Sequence, residues 1–452
     1  MASKSKLKRK LNVSRVIVLG FVGVILLGTL LLMLPVSTAD GKGEAFLNCL
    51  FTATSATCVT GLVVVDTAVN WSYFGQAVIL CLIQIGGLGF MTLAVALSML
   101  VKRTISPQER LIMAQSVNVS NQSGLIKLTK KILTGTLIAE GIGALLLMTR
   151  FVPIFGGEGV WKAVFVSVSA FCNAGFDLMG TYSGEFSSLT AFYGDPVVCL
   201  TITFLILFGG IGFVVWNDFY ELLRNKKRLP AYTKIIALFS IILVVGGTLV
   251  FMVSEWNNTA TIGKFSVSQK IINSLFQAVS PRTAGFNTVD LSHTTGISKM
   301  LIIILMFIGG CSGSTAGGIK VGTFAVIIFA VISALKGKRE IIAFRRKISD
   351  SDVLRAFSIT VLQLGVTLIG AALIISDGNS VMDAMFEAFS ASATVGLSLS
   401  LTPTLGLIQK IAIIVMMFFG RVGIITVSFA TMLKMSQYEP EVCHAETKMM
   451  IG

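Results

Sequence analysis

Eight long apolar stretches, separated by shorter polar or charged connections, make up most of the chain. They run approximately over residues 16–36, 74–101, 132–153, 196–222, 235–253, 299–335, 353–375 and 407–433. A helix needs about 20 apolar residues to cross the ~30 Å hydrocarbon core of a bilayer. The pattern therefore predicts eight membrane-spanning helices, arranged in four pairs.

A shorter motif lies between the two apolar stretches of each pair. It has an apolar start, a middle of small and hydroxyl-bearing residues, and a glycine at its end. The copies FTATSATCVTG, FVSVSAFCNAG, LFQAVSPRTAG and FEAFSASATVG end at Gly61, Gly175, Gly285 and Gly396. These glycines are spaced by 114, 110 and 111 residues, and a chain that repeats itself four times can build a four-fold axis alone.

The repetition predicts an all-α polytopic membrane protein with four tandem helix–pore loop–helix repeats. Eight spans and four re-entrant pore loops would surround one pore with pseudo-four-fold symmetry. The predicted repeats cover residues 16–101, 132–223, 224–335 and 353–436. The residues outside the repeats are predicted to form a cytoplasmic N-terminal segment (1–15), two cytoplasmic connections (102–131 and 336–352) and a C-terminal tail (437–452).

Composition agrees with a membrane protein, and charge sets its orientation. Hydrophobic residues make up 54% of the chain and charged residues 13%, against roughly 25% charged residues in soluble domains. Lysine and arginine cluster at the N-terminus and in the connections, so the positive-inside rule predicts a plasma-membrane protein with a cytoplasmic N-terminus. The net charge of +14 follows from this asymmetry and from attraction to the anionic inner leaflet, so nucleic acid is not an expected partner.

Few residues are suited to catalysis. The chain has two histidines, and no serine, histidine and carboxylate set recurs in one segment. The seven cysteines are scattered without metal-ligand spacing. We therefore expect neither an enzyme nor a cofactor bound to this chain. The cytoplasmic connections carry no phosphate-binding glycine loop, so regulation by ATP or ADP would need a partner subunit.

The glycine motifs are suited to holding a cation. Irregular backbone at membrane depth must be buried in protein or line a water-filled cavity. A ring of carbonyls from four such segments can replace the hydration shell of a cation, and glycine allows the required backbone conformations. The short helices before the glycines would point the partial negative charge of their C-terminal ends at the axis. The alternative is a set of interfacial helices followed by loop glycines.

Glycines also recur in the second span of each repeat, at Gly86, Gly209, Gly309 and Gly420. In the first two repeats, close helix packing by small residues is the better explanation. In the third repeat, residues 309–318 include five glycines plus Ser312, Ser314 and Thr315, which should break the helix in mid-membrane. Broken helices in transporters lie at functional cavities.

Several charged residues lie within or beside the apolar segments. Arg421 is predicted to be functional, because an arginine near the bilayer centre costs about 2.5–3.5 kcal/mol on insertion scales. Glu140 is expected to have a structural role or to pair with Arg421. Lys320 is expected at an inner-helix interface or at the cytoplasmic mouth. Asp383 is expected to cap the fourth short helix, and Glu387 to support the outer mouth.

The motifs resemble the Trk/Ktr/HKT superfamily of K⁺ transporters, and the KtrB branch most closely. The resemblance covers essentially the whole chain. It is carried by CVTGLVVVD, AFCNAGFDLMG, SPRTAGFNTVD, ATVGLSLSLT, GGCSGSTAGGIKVG and FFGRVGIITV. Members of this superfamily resemble four linked copies of a simple K⁺ channel subunit, each with an outer helix, a pore helix with filter, and an inner helix.

The resemblance implies a K⁺ selectivity filter. The implied filter residues are Cys58, Val59, Thr60, Gly61, Asn173, Ala174, Gly175, Thr283, Ala284, Gly285, Thr394, Val395 and Gly396. One filter glycine per repeat, in place of the longer TVGYG string of K⁺ channels, implies looser selectivity. Plant relatives that transport Na⁺ carry serine at the position of Gly61, which favours K⁺ here and leaves Na⁺ as a second candidate ion.

The resemblance also implies a gate below the filter. The implied gate loop consists of Gly309, Gly310, Cys311, Ser312, Gly313, Ser314, Thr315, Ala316, Gly317 and Gly318. Arg421 matches the pore arginine of the superfamily, whose charge would repel a cation in the pathway and whose side chain would offer a donor to the gate loop. A static glycine kink is the alternative for this segment.

The function implied by the resemblance is the ion-conducting subunit of a K⁺ uptake system. Na⁺ dependence of K⁺ passage occurs among members of the superfamily, and the residues leave it open for this chain. The implied partners are a second copy of the chain in a homodimer, a cytosolic octameric ring of KtrA-type nucleotide-binding subunits, and the lipid bilayer. The alternatives are an ion-coupled cation symporter, a stand-alone Na⁺/K⁺ transporter of the same superfamily, and a membrane enzyme or scaffold. The absence of inverted repeats argues against the symporter.

Overall fold

A computed structural model of the chain describes residues 13–89, 125–338 and 340–423. The described part is built of α-helices with one small antiparallel pair of strands, β1 (Ile342–Ala343) and β2 (Arg346–Lys347). The predicted C-terminal tail lies outside the described residues, as do most of the N-terminal segment and of the first cytoplasmic connection. The ends of the second and eighth apolar stretches lie outside them too.

The first two repeats each begin with an outer helix, continue with a pore helix and end with an inner helix. In repeat 1 these are α1 (Val13–Leu32), α2 (Phe46–Thr57) and α3 (Tyr73–Leu88), with a one-turn helix at Thr67–Asn70 before α3. In repeat 2 they are α4 (Leu125–Phe155), α5 (Glu158–Cys172) and the divided inner helix α6 (Pro196–Gly210) and α7 (Phe213–Asn225), with a one-turn helix at Gly180–Ser183. Asp195 caps α6 by accepting hydrogen bonds from two amides of its first turn, and Pro196 at the first helical position needs no such partner.

The last two repeats follow the same plan. Repeat 3 consists of α8 (Ala231–Glu255), α9 (Val267–Val279), α10 (Gly296–Phe307) and α11 (Val321–Leu335). Repeat 4 consists of α12 (Asp350–Ile375), α13 (Val381–Ser392) and α14 (Leu407–Val422). Ser266 and Gln269 form a reciprocal capping box that fixes the start of α9.

The outer helices are the elements long and apolar enough to cross a membrane unbroken in the described part of the chain. They are α1, α4, α8 and α12. Two apolar stretches are divided in the structure, and of these divisions only the one at residues 309–318 was predicted from the sequence. The stretch 196–222 bends by 97° between α6 and α7, and the stretch 299–335 is interrupted by a loop between α10 and α11.

The repeats close into a ring through their inner helices. Each inner helix packs against the pore helix of the next repeat: α3 on α5, α6 on α9, α10 on α13, and α14 back on α2. This cyclic packing confirms the predicted all-α membrane fold with four repeats around one axis. It places the C-terminal ends of all four pore helices at the centre.

Fully buried phenylalanines hold the pore helices in place. Phe51, Phe165 and Phe386 each stand ten residues before the glycine at the end of their motif, and in repeat 3 Phe276 stands nine residues before Gly285. Each of these side chains has no exposed surface. Because a packed interior transmits displacement rather than absorbing it, the segments that follow the pore helices are held rigidly.

Candidate functional site

The four motif glycines meet around the axis. A Cβ atom placed on Gly61 would lie less than 3.0 Å from the carbonyl oxygen of Ala174, the residue before Gly175. The same holds from Gly175 to Ala284, from Gly285 to Val395, and from Gly396 back to Thr60. The contacts therefore form a closed cycle of four, in which every side chain larger than hydrogen would strike the backbone of the next repeat.

The backbone of this glycine ring has an unusual and repeated conformation. The glycines have φ values of +90°, +70°, +79° and +95° in chain order. The residue two positions earlier is also left-handed in every repeat, at Val59, Asn173, Thr283 and Thr394, with φ between +52° and +75°. For β-branched valine and threonine this conformation is a genuine outlier that the surrounding structure must impose.

Hydrogen bonds fold each segment back onto its own pore helix. The amides of Thr60, Ala174, Ala284 and Val395 donate to backbone carbonyls at the C-terminal ends of the pore helices, over 2.8–2.9 Å. The Ser55 and Ser390 hydroxyl oxygens accept from the amides of Gly61 and Gly396, each over 3.1 Å. Because the amides are occupied in this way, the carbonyls of the segment remain available as ligands for a cation.

A large open cavity lies on one side of the glycine ring. Its volume is about 840 Å³, and all four ring glycines contribute to its wall. Four carboxylates and one lysine also line it: Asp66, Asp177, Glu185, Asp290 and Lys264. An excess of negative charge in a cleft raises the local concentration of cations, so this vestibule favours cation entry.

Two vestibule carboxylates are close neighbours. The Asp66 carboxylate accepts hydrogen bonds from the amides of Ala68 and Phe186, each over 2.9 Å, and thereby joins the loops of repeats 1 and 2. Burial raises the pKa of the Asp177 carboxyl to about 6, and the nearby Asp66 carboxylate acts in the same direction. Asp177 therefore changes charge near pH 6.

The predicted gate loop lies on the other side of the ring. It belongs to the segment between α10 and α11, which closes on itself because the Ile319 amide donates to the Phe307 carbonyl over 3.2 Å. A Cβ atom on Gly317 would strike the side chain of Thr394, and the Thr315 hydroxyl lies 3.4 Å from the Phe171 carbonyl. The loop therefore packs against the segment that ends at Gly396 in repeat 4 and against the pore-helix end of repeat 2.

Backbone hydrogen bonds also join the gate loop to the bend in the inner helix of repeat 2. The Cys311 amide donates to the Gly210 carbonyl over 3.0 Å, and the Phe213 amide donates to the Gly313 carbonyl over 2.8 Å. Gly212 lies between these contacts with a φ of +98°. The bend of 97° between α6 and α7 is therefore held by the gate loop, as well as by glycine geometry.

Arg421 joins the gate loop to repeat 1. Its guanidinium donates to the carbonyl of Thr315 in the gate loop and to the carbonyls of Gly86 and Gly87 at the end of α3, the last over 3.1 Å. Among the described residues, Arg421 forms no salt bridge with a carboxylate. The arginine therefore bonds to backbone acceptors on two elements that it holds together.

Glu140 does not pair with Arg421. Its carboxylate accepts a hydrogen bond from the Gln84 side chain over 3.3 Å, and its backbone carbonyl accepts one from Ser167 over 2.7 Å. The side chain is buried between α3, α4 and α5. These contacts therefore support a structural role for Glu140, which was one of the two roles predicted for it.

The glycines that recur in the inner helices have two structural functions. Cβ atoms on Gly86, Gly209 and Gly420 would strike the last carbonyls of pore helices, so these glycines allow close helix packing, as predicted for the first two repeats. Three residues further on, Gly89 and Gly423 follow the last residues of α3 and α14, and Gly212 lies at the bend between α6 and α7; their φ values are +79°, +89° and +98°. These helix ends and this bend were not predicted from the sequence.

Lys320 and Glu387 support the loops on either side of the ring. Lys320 turns back to donate to the carbonyls of Ala316 and Gly317, so it holds the predicted gate loop, and its position at an inner-helix interface or the cytoplasmic mouth stays a prediction. Glu387 is fully buried in α13 and accepts from the Leu399 amide over 3.2 Å and the Thr402 hydroxyl over 2.6 Å. It fixes the loop that follows Gly396, and the predicted support of an outer mouth stays a prediction.

Capping of α13 differs slightly from the prediction. Ser380 is the N-cap residue, and its hydroxyl accepts from the amide of Asp383 over 3.2 Å. Asp383 lies in the first turn, where a negative charge favours the helix dipole. One further buried carboxylate was missed: Glu255 at the end of α8 accepts from the Thr295 amide over 2.8 Å and ties the outer helix to the start of α10.

Comparison with known proteins identifies the family. The model of the TrkH family, described as cation transport proteins, matches residues 11–440. The potassium/sodium uptake protein NtpJ of Enterococcus hirae is 37% identical over 99% of both chains. The Ktr system potassium uptake protein B of Bacillus subtilis is 41% identical over 92% of both chains.

A solved structure has the same fold. The potassium transporter TrkH from Vibrio parahaemolyticus superimposes with a TM-score of 0.74 at 18% identity, covering 96% of this chain and 87% of that one. The resemblance drawn from the motifs is thus confirmed, as is the expectation that the protein is not an enzyme. The chain belongs to the TrkH family of cation transport proteins, which are multi-pass membrane proteins.

Proposed function

We propose that the chain is the ion-conducting subunit of a K⁺ uptake system in the plasma membrane. The closed cycle of four glycines is the observation on which this function chiefly rests. In the proposed filter, carbonyls of the thirteen predicted filter residues replace the hydration shell of K⁺. The acidic vestibule collects cations, and the C-terminal ends of the pore helices stabilise the ion at the ring.

The gate loop controls passage from the ring to the cytoplasm in this proposal. It packs against the segment that ends at Gly396 and against the pore-helix end of repeat 2, and Arg421 holds it to the end of α3. These contacts favour a closed pathway, and opening requires the loop to leave them. The cytoplasmic N-terminus and an outward-facing vestibule follow from the positive-inside rule.

The partners proposed are a second copy of the chain and a cytosolic octameric ring of KtrA-type subunits. The similarity to a Ktr system protein supports the ring, because that name denotes a system of more than one component. ATP or ADP would act by binding to this cytosolic KtrA-type ring. The name of the Enterococcus relative includes sodium, so a stand-alone Na⁺/K⁺ transporter or an ion-coupled symporter is the second candidate function.

Growth of a bacterial strain that lacks its own K⁺ uptake systems tests this function. We expect the chain, co-expressed with a KtrA-type ring, to restore growth and K⁺ uptake at low external K⁺. Expression without the ring is the matched comparison, and uptake that is equal in both cases would exclude regulation by the ring. Absence of K⁺ uptake under either condition, with the chain present in the membrane, would contradict the function.

External pH should alter K⁺ uptake through Asp177. Because its pKa lies at about 6, the carboxylate is ionised above that pH and neutral below it. As external pH falls through 6, the vestibule loses one negative charge. A carboxylate and a K⁺ ion about 7 Å apart in water attract each other by about 0.6 kcal/mol, so the KM for K⁺ should rise about threefold when this attraction is lost.

The matched variant for the pH experiment is Asp177→Asn. It should have the higher KM at every pH and lose the step near pH 6, as measured by K⁺ uptake between pH 5 and 8. Asp290→Asn, which removes another vestibule charge, should raise KM but keep the step. A step that survives in Asp177→Asn would assign the titration to another group.

A further inference from the structure

A second cavity lies behind the gate loop. Its volume is about 320 Å³, and its wall includes Gly310 of the gate loop and Gly210 at the end of α6. The rest of the wall comes mainly from α6 and α8 and is almost entirely apolar: Ile206, Leu207, Ile241, Val244, Val245 and Val279. The cavity is therefore separate from the acidic vestibule in both position and chemistry.

The cavity opens towards the lipid. Ile241 is 61% exposed and Val245 is 52% exposed, although both line the cavity. They belong to α8, which is one of the four helices that cross the membrane unbroken and which is mostly unburied by the rest of the chain. Exposed aliphatic side chains on a membrane-spanning helix contact acyl chains, so the mouth of the cavity faces the hydrocarbon.

The depth of the cavity excludes lipid headgroups as its occupants. Its α8 residues lie between Ala237 and Val245, 6 to 14 residues after the start of a 25-residue helix. At 1.5 Å per residue, this segment lies about 9–21 Å along a helix of about 37 Å. Acyl chains occupy this depth, since the hydrocarbon core is ~30 Å thick.

Water is a poor occupant of this cavity. The polar side chains of its wall are Ser240 and Arg282, and the Arg282 guanidinium donates to the Ser240 hydroxyl over 3.3 Å but keeps an unpartnered Nε–H. One free donor is too little for a buried water, which makes about three hydrogen bonds to polar groups. The other lining residues offer apolar side chains or are glycines. Apolar cavities stay dry and accept apolar ligands. An aliphatic chain is therefore the chemically matched occupant.

We infer that this cavity is a binding site for one acyl chain of a membrane lipid. Gly210 and Gly310 both line the site, and the Gly210 carbonyl accepts the hydrogen bond from Cys311 that joins α6 to the gate loop. A bound chain fills the space behind this joint and supplies dispersion contacts that an empty cavity would forfeit. The acyl chain thus supports the gate loop from the side of the lipid.

Photolabelling of the full-length protein in phosphatidylcholine vesicles tests this site. The probe is phosphatidylcholine with a diazirine near the middle of one acyl chain, and labelled peptides are mapped by mass spectrometry. We expect labelling concentrated on α6 and on residues 237–245 of α8. Ala237→Trp, which fills the cavity, should lower this labelling by about tenfold, corresponding to about 1.4 kcal/mol of lost affinity.

Ile242→Trp is the matched control, because Ile242 is 54% exposed on the same helix but does not line the cavity. Leu207→Trp fills the cavity from α6, at a partly buried position, and should lower the labelling to a similar extent. Labelling that both cavity variants leave unchanged would overturn the site. A different result would be that α6 and α8 stay unlabelled and that Val245→Cys forms a disulfide between two copies of the chain. This result would overturn the lipid site and show that the surface is a dimer interface. This readout needs no ion transport, so it fails or succeeds independently of the proposed function.

Discussion

Replacing Arg421 with alanine should raise K⁺ flux by about tenfold or more. The guanidinium donates to the gate-loop carbonyl of Thr315 and to the carbonyls of Gly86 and Gly87 at the end of α3. A hydrogen bond from a charged group contributes about 1.5–3 kcal/mol, and about 1.4 kcal/mol changes an equilibrium tenfold. Loss of even one bond that exists only in the closed state therefore shifts the gate loop substantially. Tracer Rb⁺ flux into proteoliposomes measures the effect.

Arg421→Lys separates two ways in which the arginine could block the pathway. Lysine keeps the positive charge but cannot bridge several carbonyls with a planar fork. If Arg421 acts by joining the loop to α3, the lysine variant should also transport faster than wild type. If it acts only by repelling cations, the lysine variant should match wild type. Wild-type flux in Arg421→Ala would contradict both roles.

Replacing Gly61 with serine should lower K⁺ selectivity and K⁺ uptake more than any substitution outside the ring. A Cβ at this position would strike the Ala174 carbonyl, and the φ of +90° disfavours any other residue. A left-handed conformation alone costs about 1–2 kcal/mol, and the displaced carbonyl belongs to the adjacent filter segment. We expect K⁺ uptake at low K⁺ to fall at least about tenfold, since about 1.4 kcal/mol suffices for that change, and Na⁺ to compete measurably.

Gly141→Ser is the matched control for this experiment. Gly141 lies in α4 without a positive φ, and a Cβ atom placed on it would meet nothing within 4 Å beyond the backbone of its own helix. Its serine variant should transport like wild type, as judged by K⁺ and Na⁺ uptake in the same strain. Unchanged selectivity in Gly61→Ser, with protein levels equal to those of the control, would remove Gly61 from the filter.

The features that the sequence predicted are those with a strong local cause. A glycine ends each of four matching segments because no other residue fits the ring, so Gly61, Gly175, Gly285 and Gly396 could be found from the repeated motif together with its spacing. The cluster of glycines at 309–318 could break a helix in any context. Arg421 was conspicuous because a charge within an apolar stretch is costly.

Other features depend on contacts that the sequence does not reveal. Val59 and Thr283 adopt left-handed conformations against their own preference, since the ring imposes them. Gly209 and Gly212 look alike in an apolar run, but the first permits close helix packing and the second forms the bend between α6 and α7. The position of Lys320 depends on the fold of the gate loop, whose carbonyls become acceptors only when that loop has formed.

K⁺ flux through the purified chain in proteoliposomes tests gated conduction most directly. Vesicles receive a K⁺ gradient with no Na⁺ and no proton gradient, and flux is followed as the imposed membrane potential is varied. Conduction through the glycine ring predicts K⁺ movement down its own electrochemical gradient, with zero net flux at the K⁺ equilibrium potential. K⁺ movement only when a Na⁺ or proton gradient is added would contradict conduction and establish a symporter.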